Sequence, residues 1–436
     1  MNAALTDIPL TKTSHQLISQ YVLPNYGRSA LVPVRGEGVW LWDELGQKYL
    51  DFNGGVAVCS LGHCPPVLIQ AISEQATKLI HCSNWFSISE QSKLSRILVD
   101  EVIRESGRCF FCNSGAEANE TLIKLARRFG RAFPAADGQS RYRILTFSQS
   151  FHGRTYGGLS ATAQEKIHDG CDPILPGFTY LAFNDCKALE KAITPDVVAI
   201  LFEPVQGEGG VHSASSEFLN KASALCQQHN LLLFFDEVQC GIGRCGNLCG
   251  WRALSQENGI VPDAVSWAKG LGGGFPIGAT WVRERLFSEG STSISLPDLM
   301  GPGSHGSTFG GSPLACAAAT AVLREIIDNN LSDNAASLGK YILETVSNWN
   351  SPFLKEARGH GLLLGFALET NQFDHFPEIM AGCNPSMFLF SLLQNAGLLT
   401  VPAGPDVIRW LPALNVTREE VDTALSIFQK VLLQLA

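Results

Sequence analysis

The sequence predicts an α/β fold, a mainly parallel sheet covered by helices on both faces, and three observations predict it. Between roughly residues 105 and 285, short apolar runs recur, each followed by a polar or glycine-rich loop. Helix-period segments separate several of these runs, the pattern expected when strands are buried on both faces. At 436 residues the chain is too long for one compact core, so a second, smaller domain is expected beside the first.

Taken in order, the expected strands are 109–112, 143–147, 197–202, 231–235 and 264–268. Residues 1–75 and 321–436 read differently, with amphipathic helices such as 315–330 and short mixed strands, and are expected to form a smaller α+β domain. The large domain is then 76–320.

Composition excludes several classes of function. A formal charge of −9 argues against a nucleic-acid partner, which requires clustered Lys and Arg. No apolar run is long enough for a membrane span. The first twenty residues carry Asp7 and lack both an apolar core and arginine, unlike a secretory or mitochondrial leader. Thirteen cysteines without paired CxxC spacing suggest no metal site and reduced thiols in a cytoplasm.

In an open α/β sheet, ligands bind beyond the carboxyl ends of the strands. Here five expected strands run directly into NSGAEANE, SQSFHGRT, EPVQGEGG, DEVQ and KGLGGG, which places their polar residues around one site. Ser114 and Glu117 have capping-box spacing, and Gly115 lets a phosphate approach the free N–H groups of a helix start, although an ordinary helix cap would use the same residues. Phe151 could stack on a flat ligand, and Arg154 could bind a carboxylate bidentately. Asp236 ends a strand of five apolar residues, so its carboxylate needs a cation or a protonated ring nitrogen. Lys269 follows apolar residues and precedes glycines, which is the setting in which desolvation lowers an ammonium pKa and makes the amine nucleophilic. Residues 241–246 match GxGxxG, but Asp236 to Gln239 separate them from the strand and no helix begins at the third glycine, which argues against a dinucleotide site.

With these residues in hand, the segments NSGAEANE, FHGRT, FEPVQGEGG, FDEVQCGIGR, AKGLGGGFPIGA, HGSTFGG and RGHGLLLG resemble the class III, or ω-amino acid, branch of the fold type I pyridoxal-phosphate aminotransferases. The resemblance runs from about Tyr21 to the last helix. It implies a seven-stranded type of sheet and pyridoxal 5′-phosphate held covalently by Lys269, with Asp236 on the pyridinium nitrogen. It also implies that Val238 and Phe151 flank the ring, that Gln239 approaches the ring hydroxyl, and that Gly115 and Ala116 hold the phosphate. Thr308, with Ser307 beside it, resembles a phosphate ligand given by a partner subunit, so a homodimer with shared sites is implied. Arg154 matches the position for a substrate α-carboxylate. Glu208 and Arg409 match a pair that opens when 2-oxoglutarate replaces the ω-amino donor. Cys240, Cys245 and His360 depart from the usual pattern without removing any of these groups.

Overall fold

The computed structural model describes residues 13–255, 259–289 and 292–435. Its largest sheet has seven strands, in the order Gly107–Cys112, Gly278–Arg283, Ala264–Trp267, Leu232–Asp236, Val197–Phe202, Arg143–Phe147 and Phe178–Leu181. Gly278–Arg283 is antiparallel to both its neighbours, and the other six share one direction. Every residue of Val197–Phe202 and Leu232–Asp236 is buried, which explains why both read as unbroken apolar runs.

All five expected strands are present, 143–147 and 197–202 with the expected bounds and the other three with one or both ends moved by one or two residues; Asp236 itself closes its strand. Two strands were not expected. Phe178–Leu181 is a short edge strand with Tyr180 exposed, and Gly278–Arg283 follows a glycine-proline loop that hides its start.

Helix Gly115–Ala132 covers one face of this sheet and buries Leu122, Leu125, Ala126 and Phe129, the side expected from its periodicity. Fully burying each such large side chain contributes about 1.5–3 kcal/mol. The capping box is corrected in part. Ser114 Oγ does accept from Glu117 N at 3.3 Å, but the Glu117 carboxylate reaches one residue further back, to Asn113 N at 2.6 Å and Asn113 Nδ2 at 2.9 Å. The side chain of Asn113 offers that carboxylate a second donor, which the backbone of Ser114 cannot.

Among the described residues, two four-stranded sheets and two two-stranded ones lie outside the central sheet, and the four-stranded pair concerns the chain ends. The first joins Pro33–Glu37, Trp40–Asp43 and Lys48–Asp51 to Leu398–Leu399, so both ends of the chain meet in it. The second is antiparallel, in the order Leu354–His360, Leu363–Leu368, Val407–Trp410, Val401–Pro402. From the first pairing we propose one smaller domain made of residues 1–75 and 321–436, of which 1–12 and 436 lie outside the described residues. The helix expected at 315–330 is Pro313–Asp328, started by proline at a position that needs no N–H and capped by Ser312 Oγ.

Candidate active site

The carboxyl ends of the parallel strands and the loops that follow them enclose a cavity of about 240 Å³. Its walls include Gly115, Ala116, Phe151, Arg154 and Glu208, together with Asp236, Val238, Gln239 and Lys269. Nine of the residues singled out from the sequence therefore meet at one place.

Lys269 stands at the end of Ala264–Trp267 with a φ of +44°, a left-handed conformation unusual for any residue but glycine. Ser60 Oγ pins the next carbonyl, Gly270 O, at 2.9 Å. Burial lowers the pKa of the Lys269 ammonium, Glu208 opposes that, and the Arg409 charge adds to it. The amine is thus shifted toward its neutral, nucleophilic form.

Asp236 is buried, with contacts on both oxygens that leave its carboxylate room for a further donor. Its Oδ2 accepts from Asn119 Nδ2 at 2.7 Å and lies 2.8 Å from His152 Nδ1, while Oδ1 accepts from Val238 N at 3.0 Å. His152 Nε2 is buried without a hydrogen-bond partner and belongs to the cavity wall. Asn119 is held by Ser266 Oγ, which donates to its Oδ1 at 2.6 Å. Sequence reasoning assigned no role to Asn119 or His152. Asn119 lies one helical turn beyond Gly115, and that spacing was the available signal.

Glu203 was also missed. Its carboxylate accepts from Phe151 N at 2.9 Å and Gly207 N at 3.2 Å, so it ties the Phe151 loop to the loop that carries Glu208. Burial, followed by the nearby Asp236 charge, raises its pKa well above the usual carboxylate range.

Glu208 and Arg409 form an ion pair at 3.0 Å, with the arginine side chain fully buried. Burial alone would raise the Glu208 pKa, but the charges of Arg409 and Lys269 outweigh it and hold the carboxyl at about 2. Gln239 is the third member of this group: its Nε2 donates to Glu208 Oε1 at 3.3 Å and its Oε1 accepts from Arg409 Nη1. Arg409 Nε and Nη2 are buried without partners, so two donors are free for an incoming carboxylate.

Arg154 is exposed at the cavity wall, its guanidinium carbon 5.7 Å from the centre of the Phe151 ring. Gly115 is required by packing, because a Cβ there would lie 2.7 Å from Val238. Ser307 and Thr308 do not reach this cavity. They line a separate cleft of about 570 Å³ with His81, Asn84, Trp85 and Phe110, and Ser307 Oγ accepts from Asn113 Nδ2 at 3.0 Å. The 241–246 glycines form turns rather than a helix start, with Ile242 N bonded to Leu248 O at 2.8 Å.

Among the described residues, no helix is long and apolar enough to cross a membrane, and all thirteen cysteines are free thiols.

Comparison with known proteins agrees with this geometry. The family model described as Aminotransferase class-III matches residues 21–432. The acetylornithine aminotransferase of Caldanaerobacter subterraneus is 42% identical over 95% of this chain and 98% of its own length. Acetylornithine aminotransferase 1 of Bradyrhizobium diazoefficiens is 44% identical over 92% of each chain. Among solved structures, the ornithine aminotransferase of Toxoplasma gondii, described with partial occupancy of PLP at its active site, superposes with a TM-score of 0.86 at 31% identity, covering 98% of this chain and 96% of that one. N-acetylornithine aminotransferase of Stenotrophomonas maltophilia gives 0.77 at 35% identity, covering 96% and 98%.

Proposed function

The chain belongs to the class III aminotransferase family, and on that premise we propose that it transfers the ω-amino group of N2-acetylornithine to 2-oxoglutarate. The products are N-acetylglutamate 5-semialdehyde and glutamate, a step of arginine biosynthesis. The observation that carries the reading is the joint presence of the Lys269 amine and the Asp236 carboxylate in one cavity.

The residues present fit pyridoxal 5′-phosphate. A helix start with Gly115 and Ala116 offers N–H groups to a phosphate, Phe151 and Val238 offer faces to a flat ring, and a desolvated lysine and a buried aspartate supply its two chemical partners. When bound, the cofactor supplies an electron sink and carries the amino group between the two halves of the cycle. Asp236, oriented by Asn119 and His152, holds the proton on the ring nitrogen. The ε-amine of Lys269 takes the proton from the donor's ω-carbon and returns one to the acceptor's α-carbon. Gln239, which links Glu208 to Arg409, would approach the ring hydroxyl.

Arg154 binds the donor's α-carboxylate. Glu208 covers Arg409 while that donor is bound and swings aside for 2-oxoglutarate, whose second carboxylate takes the two unpartnered nitrogens of Arg409. Dual specificity then becomes a shift between two states of one salt bridge.

Thr308 and Ser307, which lie away from their own chain's cavity, serve the phosphate and substrate of a partner subunit. The surface around them supports a homodimer: Trp85, Phe86 and Phe309 are 94%, 68% and 63% exposed beside the Thr308 cleft.

Succinylornithine, ornithine, 4-aminobutyrate and N-succinyl-diaminopimelate are the competing donors. A panel of these with 2-oxoglutarate, read as kcat/KM, tests the choice. Acetylornithine is expected to lead, and a tenfold preference for free ornithine, about 1.4 kcal/mol of transition-state binding, would overturn it. Storage of nitrogen on the enzyme predicts parallel initial-rate lines, and intersecting lines contradict it.

A further inference from the structure

The RGHG segment lies outside the cavity, and the strand register ties it to the Glu208–Arg409 pair. Arg358 pairs with Gly365 on the neighbouring strand, and Gly365 pairs in turn with Arg409. Directly opposed residues send their side chains to the same face of a sheet, so two arginines flank a glycine in one row across three strands. The space above that glycine is filled from outside the sheet: a Cβ on Gly365 would lie 2.8 Å from Val211 Cβ. The segment that carries Glu208 therefore lies across the row.

Each arginine grips this segment in its own way. Arg409 holds the Glu208 carboxylate at 3.0 Å. Arg358 holds the backbone two and three residues later, with Nη2 donating to Gly210 O at 2.7 Å and Nε donating to Gly210 O at 3.0 Å and Val211 O at 3.1 Å. Glu356 balances its charge at 2.6 Å. The grip has something to restrain, because Val211 is a β-branched residue at φ +59° and left-handed backbone is unfavourable for it. A guanidinium can bind two carbonyls with its rigid fork, whereas a lysine ammonium cannot reproduce that geometry.

Resting on the Glu208–Arg409 reading above, we propose that Arg358 is a positioning residue: by fixing the Gly210 and Val211 carbonyls it sets how closely Glu208 covers Arg409, and so how the enzyme divides its preference between the ω-amino donor and 2-oxoglutarate. When the backbone is released, Glu208 withdraws and Arg409 stands open in both halves of the cycle. Dicarboxylates then bind more readily, and the donor's α-carboxylate is drawn to Arg409 instead of Arg154.

The test uses the holoenzyme and measures the two half-reactions separately in single turnovers, for Arg358→Lys, Gly365→Ala and Glu208→Gln. Gly365→Ala displaces Val211 while leaving Arg358 intact, so it carries the test if Arg358→Lys does not fold. The expected result is that kcat/KM for glutamate relative to the ω-amino donor rises about tenfold in each variant. In the Glu208→Gln background, Arg358→Lys is expected to add no further change. If Glu208→Gln shifts the ratio while Arg358→Lys and Gly365→Ala leave it unchanged or slow both halves equally, the positioning role is overturned. A shift from Arg358→Lys that persists undiminished beside Glu208→Gln overturns it as well. If Glu208→Gln itself leaves the ratio unchanged, the underlying gate is wrong and this inference falls with it.

Discussion

Replacing Glu237 with glutamine should make the enzyme more stable, and increasingly so as pH rises. Glu237 follows Asp236 in a fully buried position, where Oε1 accepts from Trp251 N at 2.9 Å and Oε2 has no partner. Burial pushes its pKa from 4.5 up to about 8, against smaller opposing contributions led by that Trp251 N–H. Between those values the folded chain keeps a proton that the unfolded chain has already lost, so rising pH favours unfolding. Each pH step in this window costs about 1.4 kcal/mol. The loss is complete once pH passes the folded value and absent below the unfolded one. Glutamine keeps the shape of the protonated acid and has no proton to lose. The stability gap between variant and wild type should therefore widen by about 3 kcal/mol from about pH 5.5 to about pH 8.5. Urea unfolding of both proteins at the two pH values measures it. A gap that stays constant across the two conditions would contradict a raised Glu237 pKa.

Asn119→Ala removes a hydrogen bond to the Asp236 carboxylate and leaves Ser266 Oγ without its acceptor. Hydrogen bonds to charged groups are worth about 1.5–3 kcal/mol, so kcat/KM should fall at least tenfold and the cofactor should be lost faster on dialysis; unchanged values for both would contradict the role. Mixing the inactive variants Lys269→Ala and Thr308→Val after partial unfolding should restore part of the activity, since a mixed dimer keeps one complete site. Absence of any recovery, with mixed dimers demonstrated by mass spectrometry, contradicts shared sites.

The strands were legible where burial on both faces forces continuous apolar runs, as in Val197–Phe202 and Leu232–Asp236. Gly278–Arg283 was not, because its start is masked by loop-forming residues and its direction opposes the rest of the sheet. Lys269, Asp236 and Arg154 could be picked out because each stands at a strand end or in the loop beyond it. Asn119, His152 and Glu203 reach partners 117, 84 and 52 positions away, and nothing in their local sequence specifies those partners. The row of Arg358, Gly365 and Arg409 depends on strand register, which hydrophobic pattern alone does not set for an edge strand whose burial does not alternate. Gln239 was expected to approach the ring hydroxyl, and its contacts with Glu208 and Arg409 were not foreseen.

The most direct measurement is to reduce the pyridoxal-phosphate-loaded enzyme with borohydride, digest it, and locate the trapped cofactor by mass spectrometry. The label is expected on the peptide containing Lys269 and absent after prior exposure to the amino donor. A label on any other lysine, or none in the loaded enzyme, would contradict the placement of the cofactor between Lys269 and Asp236.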